Sequence, residues 1–578
     1  MLRRPLVSAG KAWYHRGMGN SEWFDSVKRY TERLVSIRSV SPGEGEVQVA
    51  QEVLRLLQAD NLGAVYTASG LDALEGDPYG RQNVYAFLRG RSASTLVLLG
   101  HVDTVDTKDY GALEQWALAP ARLSSLLGVL LSSAERKENL SDWLFGRGVG
   151  DMKSGLAVNI ALMRCLAERS RSEPYPLSVL MLATPDEENE SAGILQAVRF
   201  LLRLRETYSL NYLGALNTDY VTGLYEGDPH RYVYAGSIGK LLPSFLCIGR
   251  ETHAGLPFGG LDVNLLVAEL IRDICMNDEL CDSVPGQIAA PPVTLHAEDF
   301  KRHYDVQLPY TAYFYVNVLT LTTTPAELLE RLRGRAEAVM TRLLRRLDET
   351  ELRWREAAGE AAGEAAGDPD WRRHARPRSG SVLTYAELYA EVARKLGADR
   401  LRAELISEWK RWPATLDRRE RSLHLAHRLW QLSGRAGPAV VLYYSPPYYP
   451  AVAPVSGPLQ DAVSAVIAAH PEVQLELRPY FPYLSDMSYL RLDPGLDVAA
   501  LKANMPAWQP ENMPPLPGAY SLPLAEMQDL ALPVIDWGPF GRGAHQRNEA
   551  VHMPYTFETL PRLLYETIER LAAQVSGQ

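Results

Sequence analysis

The sequence has few cysteines and no excess of positive charge. Only four of its 578 residues are cysteine, and none of them forms a Cys-X-X-Cys pair. That is too few for a disulfide framework in a chain of this length, so a reducing compartment is favoured. Asp and Glu total 70 against 60 Lys and Arg, which gives a net charge of -10, and nothing in the sequence supplies the basic surface that a nucleic-acid binder usually shows. We therefore expect neither a disulfide-stabilised domain nor a nucleic-acid partner.

Long apolar runs are also absent from the sequence. No stretch of about 18 apolar residues occurs, so we expect no membrane span. The opening MLRRPLVSAGKAW contains two arginines but no apolar run of signal-peptide length. We therefore expect a cytoplasmic protein without a membrane partner, in which residues 1–21 form a loose N-terminal tail.

Helical and strand patterns alternate over residues 22–236. Apolar residues recur at helical spacing in four segments, 24–37, 47–57, 154–168 and 192–208. Short runs rich in Val, Leu and Tyr lie between or beside them, at 83–88, 95–99, 177–183 and 213–216. This alternation predicts an α/β fold with a mostly parallel central sheet and flanking helices, whose ligands lie beyond the carboxyl ends of the strands.

The pattern changes near residue 237. Residues 240–248 and 311–321 have the character of strands, 263–274 and 325–346 have the character of helices, and 381–433 looks helical throughout. We expect a small α+β domain at 237–446, with a low-complexity linker near 356–378. From residue 447 to residue 578 the sequence again shows strand and helix patterns like those of the first segment. The sequence thus predicts one catalytic domain in two parts, 22–236 and 447–578, around an insertion.

Two polar clusters in the first part follow apolar or glycine-rich runs. In LVLLGHVDTVD, a strand-like run ends before His101, and Asp103 two residues later could fix the imidazole tautomer of a metal-bound histidine. In FGRGVGDMKSG, glycines lead to Asp151 just before a helix, where they would allow a close approach to an ion. Each pattern alone also fits an ordinary loop or a helix N-cap. The glycine spacing does not match a phosphate-binding loop.

Further acidic and histidine positions come later in the chain. TPDEENE crowds Glu187 and Glu188 among other acids, so one carboxylate could bind a metal while its neighbour acts as a general base. Asp219 follows another strand-like run, and a glycine-rich loop presents His545 and Glu549. Each alone is uninformative. Together they supply histidine and carboxylate ligands at one edge of the expected sheet, a set that suits zinc, or cobalt or manganese.

In this order, HxDT, GxGxxDMKSG, DEE, a later Asp and GPxGxxAH resemble the family of dinuclear zinc peptidases and deacylases. That family includes carboxypeptidase G, peptidase T, aminoacylase and succinyl-diaminopimelate desuccinylase. The segments HVDTVDTKDYG and AHQRNEAVHMPYTFETLP are most similar to its RocB-type branch, which is associated with arginine utilisation. The resemblance extends from about residue 22 to the C-terminal region. It implies a zinc-peptidase-like catalytic domain and identifies the insertion at 237–446 as a lid and dimerisation domain.

The resemblance also implies a set of metal ligands for two divalent ions. Asp151 would bridge the ions, His101 would pair with Asp219 on one, and Glu188 would pair with His545 on the other. Nearby His552 is the less favoured alternative to His545, because the AHxxNE match selects the first histidine.

Catalytic roles follow from the same resemblance. Glu187 would be the general base, Asp103 would orient the imidazole of a metal ligand, and His253 in ETHAGLPFGGLDVN would stabilise the oxyanion. Asn264 matches the asparagine of the family's lid. The lid arginine that some members use to hold a substrate carboxylate has no evident counterpart, which weakens the case for a simple carboxypeptidase.

The expected function is metal-dependent hydrolysis of an amide or peptide bond in a small peptide or an N-acyl amino acid. The resemblance allows a homodimer through the lid domain. The alternative is a non-catalytic binding protein on a decayed hydrolase scaffold, although every key position carries a competent residue. A two-metal phosphoesterase is disfavoured because no basic phosphate clamp accompanies the clusters.

Overall fold

The computed structural model describes residues 19–126, 140–362, 379–511 and 513–577. Most of the expected N-terminal tail, residues 1–18, and much of the expected linker, residues 363–378, lie outside the described residues. Two compact units account for the rest. The first comprises the described parts of Met1–Ser237, Val452–Asp493 and Pro523–Gln578, and the second those of Ile238–Ala451 and Pro494–Leu522.

An eight-stranded mixed sheet forms the centre of the first unit. In spatial order its strands are Ala68–Ala73, Gln82–Leu88, Ser178–Thr184, Ser94–His101, Asn211–Asn217, Val534–Asp536, Arg231–Tyr234 and Leu475–Arg478. The four central strands, from Ser178–Thr184 to Val534–Asp536, are all parallel, and antiparallel pairings occur only outside them. Ser178–Thr184 is buried throughout, as expected for a central strand covered on both faces.

Helices flank this sheet. Their bounds are Asn20–Val35, Gly45–Gln58, Pro120–Ser124, Lys153–Ser170, Ala192–Tyr208, Pro458–Ala469, Leu524–Leu530 and Leu560–Ser576. Lys153–Ser170 is buried along most of its length, because it packs on the sheet and also on neighbouring helices. Small residues such as Gly155 and Ala157 allow that close approach.

A second, smaller sheet in the same unit connects distant parts of the chain. Trp143–Phe145 pairs antiparallel with Ala550–His552, which in turn pairs with Gly541–Arg542. The loop after Trp143–Phe145 leads to Asp151, and the loop between the other two strands carries His545. This sheet therefore ties together two of the segments expected to bind metal.

The second unit is built on a mixed sheet of its own. Its strands are, in order, Val293–Asp299, Thr311–Thr320, Pro243–Ile248, Ala439–Tyr444 and Ser381–Thr384, with Gly239–Leu241 also paired to Thr311–Thr320. A hairpin of Ser283–Val284 and Gln287–Ile288 lies apart from this sheet. The helices are Val263–Ile274, Pro325–Ala362, Tyr385–Leu396, Ala398–Lys410, Arg418–Ser433 and Ala499–Ala503.

The second unit includes a segment that the sequence analysis assigned to the catalytic domain. Pro494–Leu522 belongs to it by contacts, whereas the expected boundary placed everything after residue 447 with the first unit. Ala507 packs with Trp409 and Leu425, and Trp409 Nε1 donates a hydrogen bond to the Pro517 carbonyl at 3.0 Å. Burial of a tryptophan against this segment explains its attachment.

The predicted α/β class is confirmed, with parallel strands at the centre of the main sheet and helices around it. The lid and dimerisation role of the second unit stays a prediction. Among the described residues, no helix is both long and apolar enough to cross a membrane.

Candidate active site

The carboxyl ends of the parallel strands meet at one edge of the main sheet. Ser94–His101 ends at His101, which lies opposite Thr184, the last residue of the neighbouring strand. On its other side Leu99 pairs with Asn217, and Asn217 pairs with Asp536. Residues that follow these strand ends must therefore lie close together in space, although they are far apart in sequence.

Three of the five expected metal ligands form a compact group. One ligand atom from each of His101, Asp151 and Glu188 lies within 4.8 Å of the other two. His101 is almost fully buried, with 2% of its side chain exposed, and its Nε2 is 3.1 Å from Asp151 Oδ1. The spacing and the mixture of imidazole and carboxylate suit a divalent cation such as zinc.

His545 contacts two members of this group, Asp151 and Glu188. Its Nε2 lies 3.2 Å from Asp151 Oδ2 and 3.1 Å from Glu188 Oε1. The two oxygens of Asp151 therefore face two different histidines, His101 through Oδ1 and His545 through Oδ2. A carboxylate placed in this way has one oxygen available for each of two ions.

Asp219 lies outside the group of three, but the charge of Asp151 affects its pKa. Its Oδ2 accepts a hydrogen bond from Ser485 Oγ at 3.1 Å, and its Oδ1 accepts one from the Tyr220 amide at 2.8 Å. Burial raises the pKa of Asp219 to about 6, and the charge of Asp151 adds to this effect.

Glu187 and Asp103 lie on opposite sides of the His101 ring. Glu187 Oε2 is 4.0 Å from Nε2, on the side of the ring that faces Asp151. Asp103 Oδ1 is 3.4 Å from Nδ1, and Asp103 Oδ2 accepts the Glu188 amide at 3.0 Å. Asp103 thus contacts one expected ligand and holds the backbone of another.

Burial, together with repulsion between neighbouring carboxylates, raises the pKa values of the acidic groups at this site. Burial raises the pKa of Glu188 to about 7, with a further contribution from the Asp151 charge. Burial also raises the pKa of Glu187 well above its ordinary value, and Asp219 and Glu188 add to the shift. Asp486 behaves in the same way, with a pKa raised by burial to about 7. Two cations would offset this repulsion.

The histidines show the complementary effect. Burial lowers the pKa of His101, but its contacts with Asp103 and Asp151 outweigh burial and leave the pKa well above the ordinary value. Hydrogen bonds to Asp151 and Glu188 raise the pKa of His545 to about 11. A cation bound through these ring nitrogens would take the place of a proton, because only the neutral imidazole binds a metal. The residues present therefore fit a metal centre.

His552 belongs to a strand of the small sheet. There its ring stacks edge-on against Trp143 at 5.3 Å and its Nδ1 accepts the Tyr555 amide at 3.3 Å. The choice of His545 over His552 stays a prediction, supported by the contacts of His545 with Asp151 and Glu188.

Two positions expected from the lid motif belong to the second unit. His253 is exposed there, its backbone pairs with Gln307, and its Nδ1 accepts the Gly255 amide at 3.0 Å. Asn264 donates its side-chain amide to Asp299 Oδ2 at 2.7 Å. The role of His253 in catalysis stays a prediction.

Sequence reasoning gave no role to several buried polar residues around the site. Asp536 Oδ1 accepts the Asn217 side-chain amide and the Asp219 backbone amide, both at 3.1 Å. Asp486 Oδ2 accepts the Thr184 hydroxyl at 2.9 Å. Asp486 lies far in sequence from the recognised motifs, whereas Asp536 lies two residues before the GPxGxxAH segment.

Asp186 is another such residue, although it stands directly beside Glu187. Its carboxylate forms an ion pair with buried Arg81 and accepts the Ala192 amide at 3.1 Å. Glu46 accepts the Asp186 amide at 2.8 Å and also contacts Arg81. These contacts fix the turn that presents Glu187.

Comparison with known proteins gives matches along most of the chain. The model of peptidase family M20/M25/M40 matches residues 97–570. YqjN of Bacillus subtilis (strain 168) is 33% identical over 552 residues, which cover 94% of this chain and 95% of that protein. Protein RocB of the same organism is 30% identical over 569 residues and covers 95% of each chain.

Among solved structures, the chain is similar to aminopeptidase PepT from Bacillus cereus ATCC 10987, with a TM-score of 0.49 and 11% identity, covering 95% of this chain and 99% of that one. The family assignment depends on the family model and on the two sequence relatives. On those findings the chain belongs to peptidase family M20/M25/M40 and is a metallopeptidase-type hydrolase of amide bonds.

Proposed function

We propose that the chain hydrolyses an amide or peptide bond by means of a water activated at a centre of two divalent metal ions, with Glu187 as general base. The observation that carries this proposal is the position of Asp151, whose two carboxylate oxygens lie 3.1 Å and 3.2 Å from the Nε2 atoms of His101 and His545. Zinc is the metal we propose, with cobalt or manganese as alternatives at such a mixed site.

The ligands divide into two sets around Asp151. His101 and Asp219 would hold one ion, while Glu188 and His545 would hold the other. The 3.1 Å contact of His545 Nε2 with Glu188 Oε1 supports the second of these pairs. When bound, such a pair of ions lowers the pKa of a water molecule and polarises the scissile carbonyl.

Glu187 would accept the proton of that water and pass it to the leaving nitrogen. Its carboxylate is largely buried and lies 4.0 Å from His101 Nε2, so it is near the ions without filling a position of the compact ligand group. Asp103 would keep the His101 ring in place through Nδ1. His253 of the second unit would stabilise the oxyanion.

Small peptides and N-acyl amino acids are the substrates that we propose. We also propose the arginine utilisation expected for the RocB-type branch, and the 30% identity to RocB over 95% of the chain supports it. A cytoplasmic location belongs to the same proposal, and the four cysteines, all free of disulfides, agree with it. We also propose a homodimer formed through the second unit.

Replacement of the proposed base provides the first test. We expect Glu187→Gln to keep its metal but to lose at least about a hundredfold in kcat, the usual size of a general-base contribution. Hydrolysis of a panel of dipeptides and N-acyl amino acids would give the rates, and elemental analysis of the purified protein would give the metal content. Glu206→Gln, an exposed position on the Ala192–Tyr208 helix, is the matched control and should keep both.

Two results would contradict the proposal at different levels. Full activity of Glu187→Gln would remove that carboxylate from the mechanism but leave the metal site intact. Purified wild-type protein that binds no divalent ion, even after reconstitution with zinc, cobalt or manganese, would remove the metal centre itself.

A further inference from the structure

The loop that carries Asp151 is attached to a buried ion pair that sequence reasoning did not assign. Glu549 and Arg147 are 0% and 1% exposed, and Arg147 Nη1 lies 2.7 Å from Glu549 Oε2. The two residues are 402 positions apart in sequence, yet each flanks one of two paired strands of the small sheet: Arg147 follows Trp143–Phe145, and Glu549 directly precedes Ala550–His552. Close burial of two opposite charges requires that their remaining hydrogen bonds be satisfied.

The second oxygen of Glu549 is directed at the expected bridging ligand. Oε1 accepts the amide of Gly150 at 3.1 Å and the amide of Asp151 at 3.3 Å. One carboxylate oxygen therefore holds two consecutive backbone amides of the loop. Two hydrogen bonds to the same carboxylate oxygen fix the peptide plane that precedes the Asp151 side chain.

Hydrogen bonds to other parts of the chain also hold Arg147 in place. Its Nη2 donates to Asp109 Oδ1 at 2.7 Å, and its Nε donates to the Asp106 carbonyl at 3.0 Å. Its backbone amide donates to the Ala117 carbonyl at 2.9 Å. The guanidinium group thus has a fixed orientation, and it transmits that orientation to Glu549 Oε2.

We propose that Arg147 and Glu549 are a positioning pair, which sets the backbone of Asp151 so that its two carboxylate oxygens face His101 and His545. Neither residue contacts the reacting atoms. The inference depends on the proposed metal centre, because its consequence is the affinity of that centre for its ions. A small rotation at Asp151 would move one oxygen away from one histidine while the other contact remained.

The test uses Co²⁺ as the probe metal, bound to the full-length protein after removal of other ions. Glu549→Gln keeps an oxygen for the two amides but turns an NH2 group toward the Arg147 donors, so the orientation is disturbed without loss of volume. We expect this variant to bind Co²⁺ roughly 10- to 100-fold more weakly, which is the usual effect of removing a residue that orients a metal ligand. The absorption spectrum of bound Co²⁺ should also change. Arg147→Lys should weaken binding less, because it keeps both the Glu549 carboxylate and a positive charge beside it.

Each outcome decides between the alternatives. A folded Glu549→Gln protein with the wild-type Co²⁺ spectrum and affinity would overturn the positioning role. If Glu549→Gln does not give a wild-type-like thermal transition, the Co²⁺ affinity and spectrum of Arg147→Lys are compared with those of the wild type instead. If neither variant folds, the pair serves stability alone and the proposal is wrong. Wild-type protein that binds no Co²⁺ would instead be a failure of the proposed function. Glu206→Gln again provides the control with unchanged spectrum and affinity.

Discussion

Acidic side chains at the proposed metal centre are concentrated in a small buried volume. The pKa of Glu188 is raised by burial to about 7, and that of Asp219 to about 6. Such groups bind protons more tightly in the folded chain than in the unfolded chain. In the metal-free protein they therefore stabilise the fold at low pH and cease to do so as pH rises through their folded pKa values.

This linkage predicts how the metal-free protein responds to pH. Between about pH 5 and pH 7 the folded state holds protons on Glu188 and Asp219 that the unfolded state has already released, so the midpoint temperature of unfolding should fall as pH rises. Added zinc should abolish that fall, because the ionised carboxylates then bind the metal. Thermal unfolding of chelator-treated and zinc-loaded protein at pH 5, 6 and 7 measures both trends.

The double variant Glu188→Gln with Asp219→Asn is the control for the pH effect. Its metal-free unfolding temperature should depend less on pH than that of the wild type over the same range. A wild-type protein whose metal-free stability rises from pH 5 to pH 7 would contradict the account of buried, protonated acids.

At the level of single residues, sequence patterns indicated the candidate metal ligands but not the residues that hold those ligands in place. His101, Asp151 and Glu188 stand directly at or after strand ends or glycine-rich turns, and residue type alone limits what they can do. Glu549 is different, because its role depends on a partner 402 positions away. Single-sequence patterns contain no information about such a long-range contact.

Close approach of backbone segments fixes the elements around Asp219. A Cβ atom at Gly155, in the first turn of the Lys153–Ser170 helix, would lie 1.9 Å from the Thr218 carbonyl oxygen. One at Gly538 would lie 1.6 Å from the Asp219 carbonyl oxygen. The turn that presents Asp219 is thus enclosed between two glycines, and any side chain at either position must displace it.

Alanine at Gly155 should therefore weaken both the fold and the metal centre. We expect Gly155→Ala to destabilise the protein by about 1–3 kcal/mol, the usual cost of overpacking, and to reduce its zinc content. The control is Gly334→Ala, at an exposed position inside the Pro325–Ala362 helix where a Cβ would meet nothing within 4 Å. That change should stabilise the helix by about 0.5–1 kcal/mol, since glycine is a poor helix former.

Denaturant unfolding and elemental analysis of the two alanine variants make the comparison. Equal stability of Gly155→Ala and wild type would mean that the helix and the Asp219 turn can separate at little cost, contrary to the packing described.

Helices and strands with a clear hydrophobic periodicity were predictable from the sequence, and segments with a weak pattern were not. The observed helix Ala192–Tyr208 has the predicted bounds, and the strand Ser94–His101 extends the predicted one by two residues at its carboxyl end, so that it includes His101 itself. Residues 381–433, expected to be helical throughout, begin instead with the strand Ser381–Thr384, whose pairing with Ala439–Tyr444 is non-local. Tertiary pairing of this kind overrides local propensity.

At the scale of the whole molecule, the second unit exposes apolar side chains near one edge of its sheet. Val293–Asp299 is the edge strand, and among described residues its only strand partner is Thr311–Thr320. Val293 and Leu295 on that strand are 38% and 54% exposed. An edge strand with exposed apolar residues can pair with another chain, and this supports the proposed homodimer.

A charge on that strand should prevent dimer formation. We expect Leu295→Glu to be monomeric where the wild type is dimeric, because a carboxylate would be buried between two copies without a partner. Light scattering coupled to size exclusion gives the mass directly. Leu352→Glu places the same charge on an exposed leucine of the Pro325–Ala362 helix and should remain dimeric. A monomeric wild type, or a dimeric Leu295→Glu variant, would contradict this interface.

The insertion of one unit within the other has a consequence for the timing of activity. The proposed ligands begin at His101 and end at His545, and the strand Val534–Asp536 joins the parallel centre of the main sheet only when that late segment is available. A ribosome makes the chain from its amino end, and domains fold as their residues emerge. We therefore expect the metal centre to assemble only after the segment that carries His545 has left the ribosome, so the hydrolase should gain its activity at the end of its own synthesis.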